Sequence, residues 1–342
     1  MKIHIAGLFV LGLLNSAYAH HSFDYHFSRD IDVTIEGLVK EFRFINPHAR
    51  ILIDVTDKSG QIVTWDCEMS GSNVLARRGW SKELFQPGQS IELTGFGHRR
   101  IGTECYFDVA ILEDGTRVTL ARTNRLDAQT KIQSPAASNR LTGSDIPNFS
   151  RVWRRQGGGG MGPQLGGPNR NAWVLSNAGR NALEKYDPVI DDPALQCSPV
   201  SIVRLWGTGD LTEIRQENGH VMIHHEWMDA TRVIYLDEKT HSDNTEEHVL
   251  GHSIGWYEDS VLVIDTRGYA AGVLQQHPGL PHSNQLHTVE RLALSDNGLS
   301  FEVKWTAEDS EYFTAPLSGS RALEASDERM TEYNCTRPET LH

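Results

Sequence analysis

At 342 residues the chain is long enough for two domains of about 150 residues each. Its 45 acidic side chains outnumber 32 basic ones and leave a formal charge of −13. That excess excludes the basic footprint that a phosphate backbone requires, so nucleic acid is not an expected partner.

The first element is a leader. Lys2 precedes an apolar run from Ile5 to Leu14, and Ala17-Tyr18-Ala19 places small residues where a signal peptidase reads them. Residues 1–19 therefore read as a secretory signal peptide, with the mature chain starting at His20. The run is too short for a permanent anchor, and no membrane insertion is expected after cleavage. The expected location is periplasmic or secreted. In such a compartment cysteines pair, so Cys67–Cys105 and Cys197–Cys335 are the expected disulfides.

Residues 20–121 read as the first domain, and residues 31–120 alternate apolar and polar positions with the period of strands. Val33 and Ile35 share a face, and Gly37 is read as a bulge before Leu38, Phe42 and Phe44 continue on the other parity. Ile51, Ile53 and Val55 form a second strand, and Val63, Trp65, Cys67 and Met69 a third. A short helix over Asn73–Arg78 ends at Gly79. Ile91 and Leu93 open a fourth strand; Phe107, Val109 and Ile111 form a fifth. Three strands, a helix and two strands give the element order of an OB-like five-stranded barrel.

Cleavage before His20 would put an α-amine and an imidazole on one residue. Together with a further imidazole they offer Cu(II) three nitrogens, a donor set that suits copper. His48, presented by Pro47, is the expected third ligand; His21 and His26 are alternatives. Copper is the expected cofactor of such a site.

His20-His-Ser-Phe23, Ile45-Asn-Pro-His-Ala49, Arg77-Arg-Gly-Trp80 and Gln86-Pro-Gly88 together resemble a family of exported bacterial domains of unknown function over residues 20 to about 120. The resemblance implies export and domain extent, and no activity.

Residues 122–145 read as a linker, and the glycine-rich stretch 157–168 as a loop, since it lacks the context of a phosphate-binding loop. Over 146–342 hairpin turns at Asn218-Gly219 and Asn297-Gly298 punctuate strands at Val221–Trp227, Arg232–Leu236, Ser253–Tyr257, Val261–Thr266, His287–Leu294 and Phe301–Ala307. The pattern predicts an antiparallel β-barrel-like or strongly curved sheet domain with short helices. Helices are expected at Asn177–Tyr186 and near Ala322–Glu332. The whole protein is thus expected to be mostly β.

Ile146-Pro-Asn-Phe-Ser-Arg-Val-Trp153, Asp192-Pro-Ala-Leu-Gln-Cys-Ser-Pro199, Gly251-His-Ser-Ile-Gly-Trp256, Leu262-Val-Ile-Asp-Thr266, Pro281-His-Ser283, Val289-Glu-Arg291 and Tyr333-Asn-Cys335 resemble a second uncharacterised exported family over about 146–336. Arg151 stands where that family usually has glycine. This resemblance, too, implies no reaction.

Two carboxylates invite chemistry. Asp265 shares a face with Val261 and Val263, and Glu290 with Leu292 and Leu294. Lining a barrel interior, they would have raised pKa values and suit acid–base work, with His282 nearby. Glu226, Arg232, Trp256 and Tyr312 are candidate ligand-binding residues of the same cavity. The alternative is that these groups satisfy one another. A zinc set from His282, His287 and Glu290 is disfavoured, because residues three apart on a strand face opposite ways. The leading expectation is an exported binding protein with an amino-terminal copper site and a cavity for a small organic ligand. The alternatives are a hydrolase, lyase or isomerase using Asp265, Glu290 and His282, and a structural envelope-assembly module.

Overall fold

The computed structural model describes residues 26–120, 141, 145–156, 175–187, 191–241, 246–275 and 280–337. The expected signal peptide, His20, His21, nearly all of the linker and the glycine-rich stretch lie outside the described residues.

The first domain contains β1 (Phe27–Arg43), β2 (Arg50–Thr56), β3 (Ile62–Glu68), helix α1 (Ser72–Arg77), β4 (Ser90–His98), β5 (Glu104–Leu112) and the short β6 (Arg117–Thr119). The strands run β3-β2-β1-β4-β5, and β3 pairs with β5 to close a five-stranded ring, with β6 added on β5. The closing pair is parallel and sets Cys67 opposite Cys105. Their disulfide spans a Cα–Cα distance of 4.4 Å. Inward residues Ile35, Ile51, Ile53, Leu75, Trp80, Phe85, Leu93 and Phe107 fill the ring. The expected bulge at Gly37 is absent. The register slip falls later, between Val39 and Glu41. Gly37 serves a different need: a Cβ there would lie 2.5 Å from the Asp54 carbonyl oxygen, so the close approach of β2 requires glycine.

The second domain is a closed barrel of nine strands. They are β7 (Arg151–Arg155), β8 (Thr212–Glu217), β9 (His220–His225), β10 (Ala230–Tyr235), β11 (His252–Glu258), β12 (Val261–Arg267), β15 (Leu286–Leu294), β16 (Ser300–Asp309) and β17 (Leu317–Ala325). β13 (Gly272–Gln275) and β14 (Leu280–His282) form a separate hairpin. An odd ring cannot alternate direction throughout. One pair, β10 with β11, is accordingly parallel, and every other neighbour pair is antiparallel. Trp153, Trp206, Ile214, Ile223, Ile264, Leu292, Phe301 and Val303 pack the interior.

Helix α2 (Asn177–Lys185) is capped by Ser176, whose hydroxyl accepts the Gly179 amide, and α3 (Ile202–Leu205) is a single turn. The expected helix near Ala322–Glu332 is not formed. β17 runs to Ala325 instead, because it must pair with both β16 and β7 to complete the barrel. Cys197 and Cys335 are joined across a sequence separation of 138. Closing so long a loop removes about 5 kcal/mol of freedom from the unfolded chain. Among the described residues no helix is long and apolar enough to cross a membrane. Two disulfides fit an oxidising compartment.

The two barrels touch through their sequence motifs. Asn46 of the Asn-Pro-His segment bridges to Cys335, donates its side-chain amide to the Tyr333 carbonyl, and accepts the Thr336 amide on its own carbonyl at 2.8 Å. The tail that the second disulfide pins is thus held against the first barrel.

Candidate functional site

Three polar clusters contain Glu290, Arg232, Glu226 and Asp265 of the residues singled out from sequence, and they lie in different places.

The first is inside the large barrel. Glu290 and Arg232 are both buried, with Arg232 Nη2 2.6 Å from Glu290 Oε2 and Nη1 3.1 Å from Oε1. Trp206 Nε1 also donates to Oε1. Arg232 Nη2 also lies 3.2 Å from the Ser253 hydroxyl and 3.4 Å from the Thr266 hydroxyl. Burial would weaken the guanidinium cation, but the Glu290 carboxylate outweighs it and raises the Arg232 pKa. This is a compensated ion pair, with its acid held by a permanent cation. Nearby, burial drives His225 well below the ordinary imidazole pKa, helped by the Arg232 charge. Its Nδ1 meets the Thr212 hydroxyl at 3.0 Å. His225 Nε2 and Arg232 Nε are buried without a hydrogen-bond partner.

The second cluster joins the domains. Glu226 is fully buried and accepts from five donors. They are Arg77 Nη1 at 2.6 Å, Asn73 Nδ2 at 3.2 Å, the Leu211 amide at 3.3 Å, and the Thr331 amide and hydroxyl at 2.9 and 3.0 Å. Asn73 also donates to Asp210 at 2.6 Å. Burial pushes the Asp210 carboxyl up to about 6, against the pull of Arg77. Glu226 is therefore a docking residue, tied to α1 of the first domain, and it does not line the barrel interior.

The third cluster is on the outer face. Register settles which way Asp265 points: it pairs with Val289, while Ile264 pairs with Glu290. Neighbouring residues on a strand face opposite ways, so Asp265 and Glu290 lie on opposite sides of the barrel wall. The shared interior expected of them is not formed. Asp265 Oδ1 meets His241 Nε2 at 2.7 Å, and Oδ2 meets His287 Nε2 at 2.8 Å. Burial opposes ionisation, but the hydrogen bonds from His287 and His241 outweigh it and hold the carboxyl below the usual range. The expected upward shift is thus reversed. His241 Nδ1 lies 3.1 Å from His252 Nδ1, and His252 Nε2 lies 3.3 Å from Glu238 Oε2. Arg267 Nη2 is 3.3 Å from His287 Nδ1.

The other candidates are scattered. His282 is buried on β14, donating Nδ1–H to the Ser283 carbonyl at 2.9 Å, and burial lowers its pKa. Trp256 stands on the outer surface, with its indole donating to Glu258 at 2.9 Å. Tyr312 follows β16, where its carbonyl accepts the Ser176 amide ahead of α2. These residues do not converge on one cavity with Arg232 and Glu226. In the first domain His48 stays accessible, with 52% of its side chain exposed, and its Nδ1 lies 3.3 Å from the Met69 carbonyl and 3.4 Å from Glu68 Oε1. His26 Nδ1 lies 3.3 Å from His98 Nε2.

Sequence reasoning missed His241, His252 and Glu238 as a group, and Arg77 and Asn73 as docking residues. The available signals were the histidine of Gly251-His-Ser and the basic pair of Arg77-Arg-Gly-Trp80.

The architecture defines a two-barrel, disulfide-bonded β protein. Residues 9–105 match the model of a family of unknown function, DUF6152. No curated protein matches. Among solved structures the chain is similar to a secretary abundant heat soluble (SAHS) protein from Ramazzottius varieornatus. That likeness is 13% identical, covers 55% of this chain and 99% of that one, and has a TM-score of 0.27.

Proposed function

We propose that this is an exported binding protein that takes copper at its mature amino terminus, and that it is not an acid–base enzyme. Signal cleavage before His20 supplies the amine and first imidazole, and His48 the third nitrogen, with His21 in reserve. The observation that carries the reading is that His48 and the start of β1 share one end of the small barrel. Phe27 contacts Tyr106 at a ring separation of 5.6 Å, Tyr106 is the register partner of Glu68, and Glu68 lies 3.4 Å from His48. Six residues from His26 back to His20 reach at most about 20 Å, enough to cover that end. His48 Nδ1 can only donate to the Met69 carbonyl, which leaves Nε2 as a lone pair on a half-exposed ring. His26 is less suited, since its Nδ1 is engaged by His98.

Against catalysis by Asp265, Glu290 and His282 stand their separate locations and the Arg232 partner of Glu290. A small polar ligand inside the large barrel is the second reading. The unpartnered Nε2 of His225 and Nε of Arg232 favour it, because buried orphan atoms are rare unless a bound molecule or water meets them.

The test is a Cu(II) titration of the exported, processed protein, with the amino-terminal residue sequenced. The account expects a start at His20 and one submicromolar equivalent that is lost on α-amine acetylation and weakened in His48→Ala. A start elsewhere, or binding indifferent to the amine, overturns it. Native mass spectra of the same sample test the second reading by showing or lacking a retained small molecule.

A further inference from the structure

We infer that the Cys197–Cys335 disulfide is a site of exchange with an external dithiol, and that opening it releases a strap that couples the two barrels. The inference is independent of the copper reading and uses none of its residues.

The two disulfides differ in what they close and in who can reach them. Cys67 and Cys105 are both 0% exposed and belong to the packed interior of the small barrel. An attacking thiolate must reach a sulfur atom, so that pair is shielded until the ring itself opens. Cys197 and Cys335 are only partly buried. Cys197 follows the 3-10 turn Pro193–Gln196, and Cys335 lies on a coil segment after β17. The large barrel closes without them, through the pairing of β17 with β7. Cleavage therefore leaves both rings hydrogen-bonded and shut.

What the bond does hold is the strap, residues 326–337, which contains no helix or strand beyond the bridge at Cys335. At its start Ser326 donates its amide to the Val152 carbonyl at 2.9 Å. At its far end stands the disulfide. Between them the strap is shared by the two domains. On the large-barrel side, the Thr331 amide and hydroxyl donate to Glu226 at 2.9 and 3.0 Å, and the Tyr333 amide donates to Asp229 at 3.0 Å. On the small-barrel side, Asn46 takes the Thr336 amide at 2.8 Å and donates to the Tyr333 carbonyl, and Arg77 lies 3.7 Å from Glu328. A segment without regular structure keeps such contacts only while its freedom is restricted, and Cys335 is the covalent restriction.

The backbone around the latch has the same character. Among the described residues five non-glycine residues have a positive φ, and four of them meet here: Cys197 at 53°, Met228 at 58°, Asp229 at 48° and Asn334 at 48°. Residues that carry a Cβ seldom occupy this region, and such conformations gather at switch segments.

The exchange balances as follows. One thiolate of the dithiol attacks a sulfur of Cys197–Cys335 and forms a mixed disulfide. The other cysteine leaves as a thiolate and takes up a proton. The second thiol of the dithiol then attacks the dithiol's own sulfur in that mixed disulfide, departs as a disulfide and frees the remaining cysteine. Two electrons and two protons pass from the dithiol to the cysteine pair.

The test treats the full processed chain, kept metal-free by a chelator, with increasing dithiothreitol under native conditions. Alkylation and peptide mass mapping follow each cysteine, and hydrogen exchange follows the Thr331, Tyr333 and Thr336 amides. Cys197 and Cys335 should be labelled faster than Cys67 and Cys105 by about tenfold or more. The three amides should lose protection by about tenfold or more while those of β12 do not change, and reoxidation should restore them. Cys197→Ser with Cys335→Ser should show the same loss without reductant, with circular dichroism confirming that the barrels stay folded. Both pairs opening together, Cys197–Cys335 resisting reduction in the native protein, or cleavage that leaves the three amides protected overturns the inference.

Discussion

Arg77→Ala should loosen the two barrels at the ion pair that joins them. The Arg77 side chain is 15% exposed and that of Glu226 is 0% exposed, and Nη1 donates to Oε2 at 2.6 Å. Truncation leaves a buried carboxylate with only neutral donors, from Asn73, Leu211 and Thr331. Removing one partner of a buried pair costs about 3–5 kcal/mol. The surviving donors place this variant at the lower end, about 3 kcal/mol. Urea unfolding followed by tryptophan fluorescence measures the loss. Arg77→Met with Glu226→Gln removes both charges together and should cost less than the sum of the single changes by at least about 1 kcal/mol. Arg77→Ala within about 0.5 kcal/mol of wild type, or additive single changes, would refute the assignment of Glu226 as the docking residue.

Acid should act on the two domains in opposite directions. Asp210, with a folded pKa of about 6 against an ordinary 3.8, binds its proton more readily when folded. Its contribution therefore increases stability as pH falls from above 6 toward 3.8, by about 3 kcal/mol in full, and Asp210→Asn should flatten that slope at the interface. His98 is the reverse. Burial and the adjacent His26 depress it to about 4, so its contribution is intact above 6.5 and lost as pH falls through 4, again by about 3 kcal/mol. Hydrogen exchange in β4 across that range, compared with His98→Gln, reads it. In the barrel interior, Glu290→Gln should destabilise by about 3–5 kcal/mol by stranding Arg232, whereas Glu290→Leu with Arg232→Met should come close to neutral. Thermal denaturation of both variants distinguishes that structural role from a catalytic one.

Period-two alternation carried the strands, and the order of elements carried the small barrel, because each face is settled by local apolar spacing. Cys67 and Cys105 could be paired in advance since the third and fifth strands are neighbours in that topology. The large domain was legible as a run of hairpins forming a barrel-like or strongly curved sheet, but its parallel seam was not: the β10–β11 pairing follows from ring parity, which no local pattern records. Asp265 and Glu290 show why site geometry was harder. Each sits in an apolar alternation, since Val263 on the outer face is as buried as Leu292 on the inner one, so only cross-strand register decides which is inside. His241, His252, Asp265 and His287 meet across three strands and a loop, at spacings that resemble no contiguous motif. Arg77 and Asn46 carried a family resemblance, yet their work is docking, which depends on a surface of the other domain.

The most direct test of the account is native mass spectrometry of the exported, processed protein during Cu(II) titration. It should show a chain starting at His20 with both disulfides formed and one copper equivalent. α-Amine acetylation should remove that equivalent, and His48→Ala should weaken it. A protein that begins at another residue, or that stays metal-free under native conditions, would contradict it.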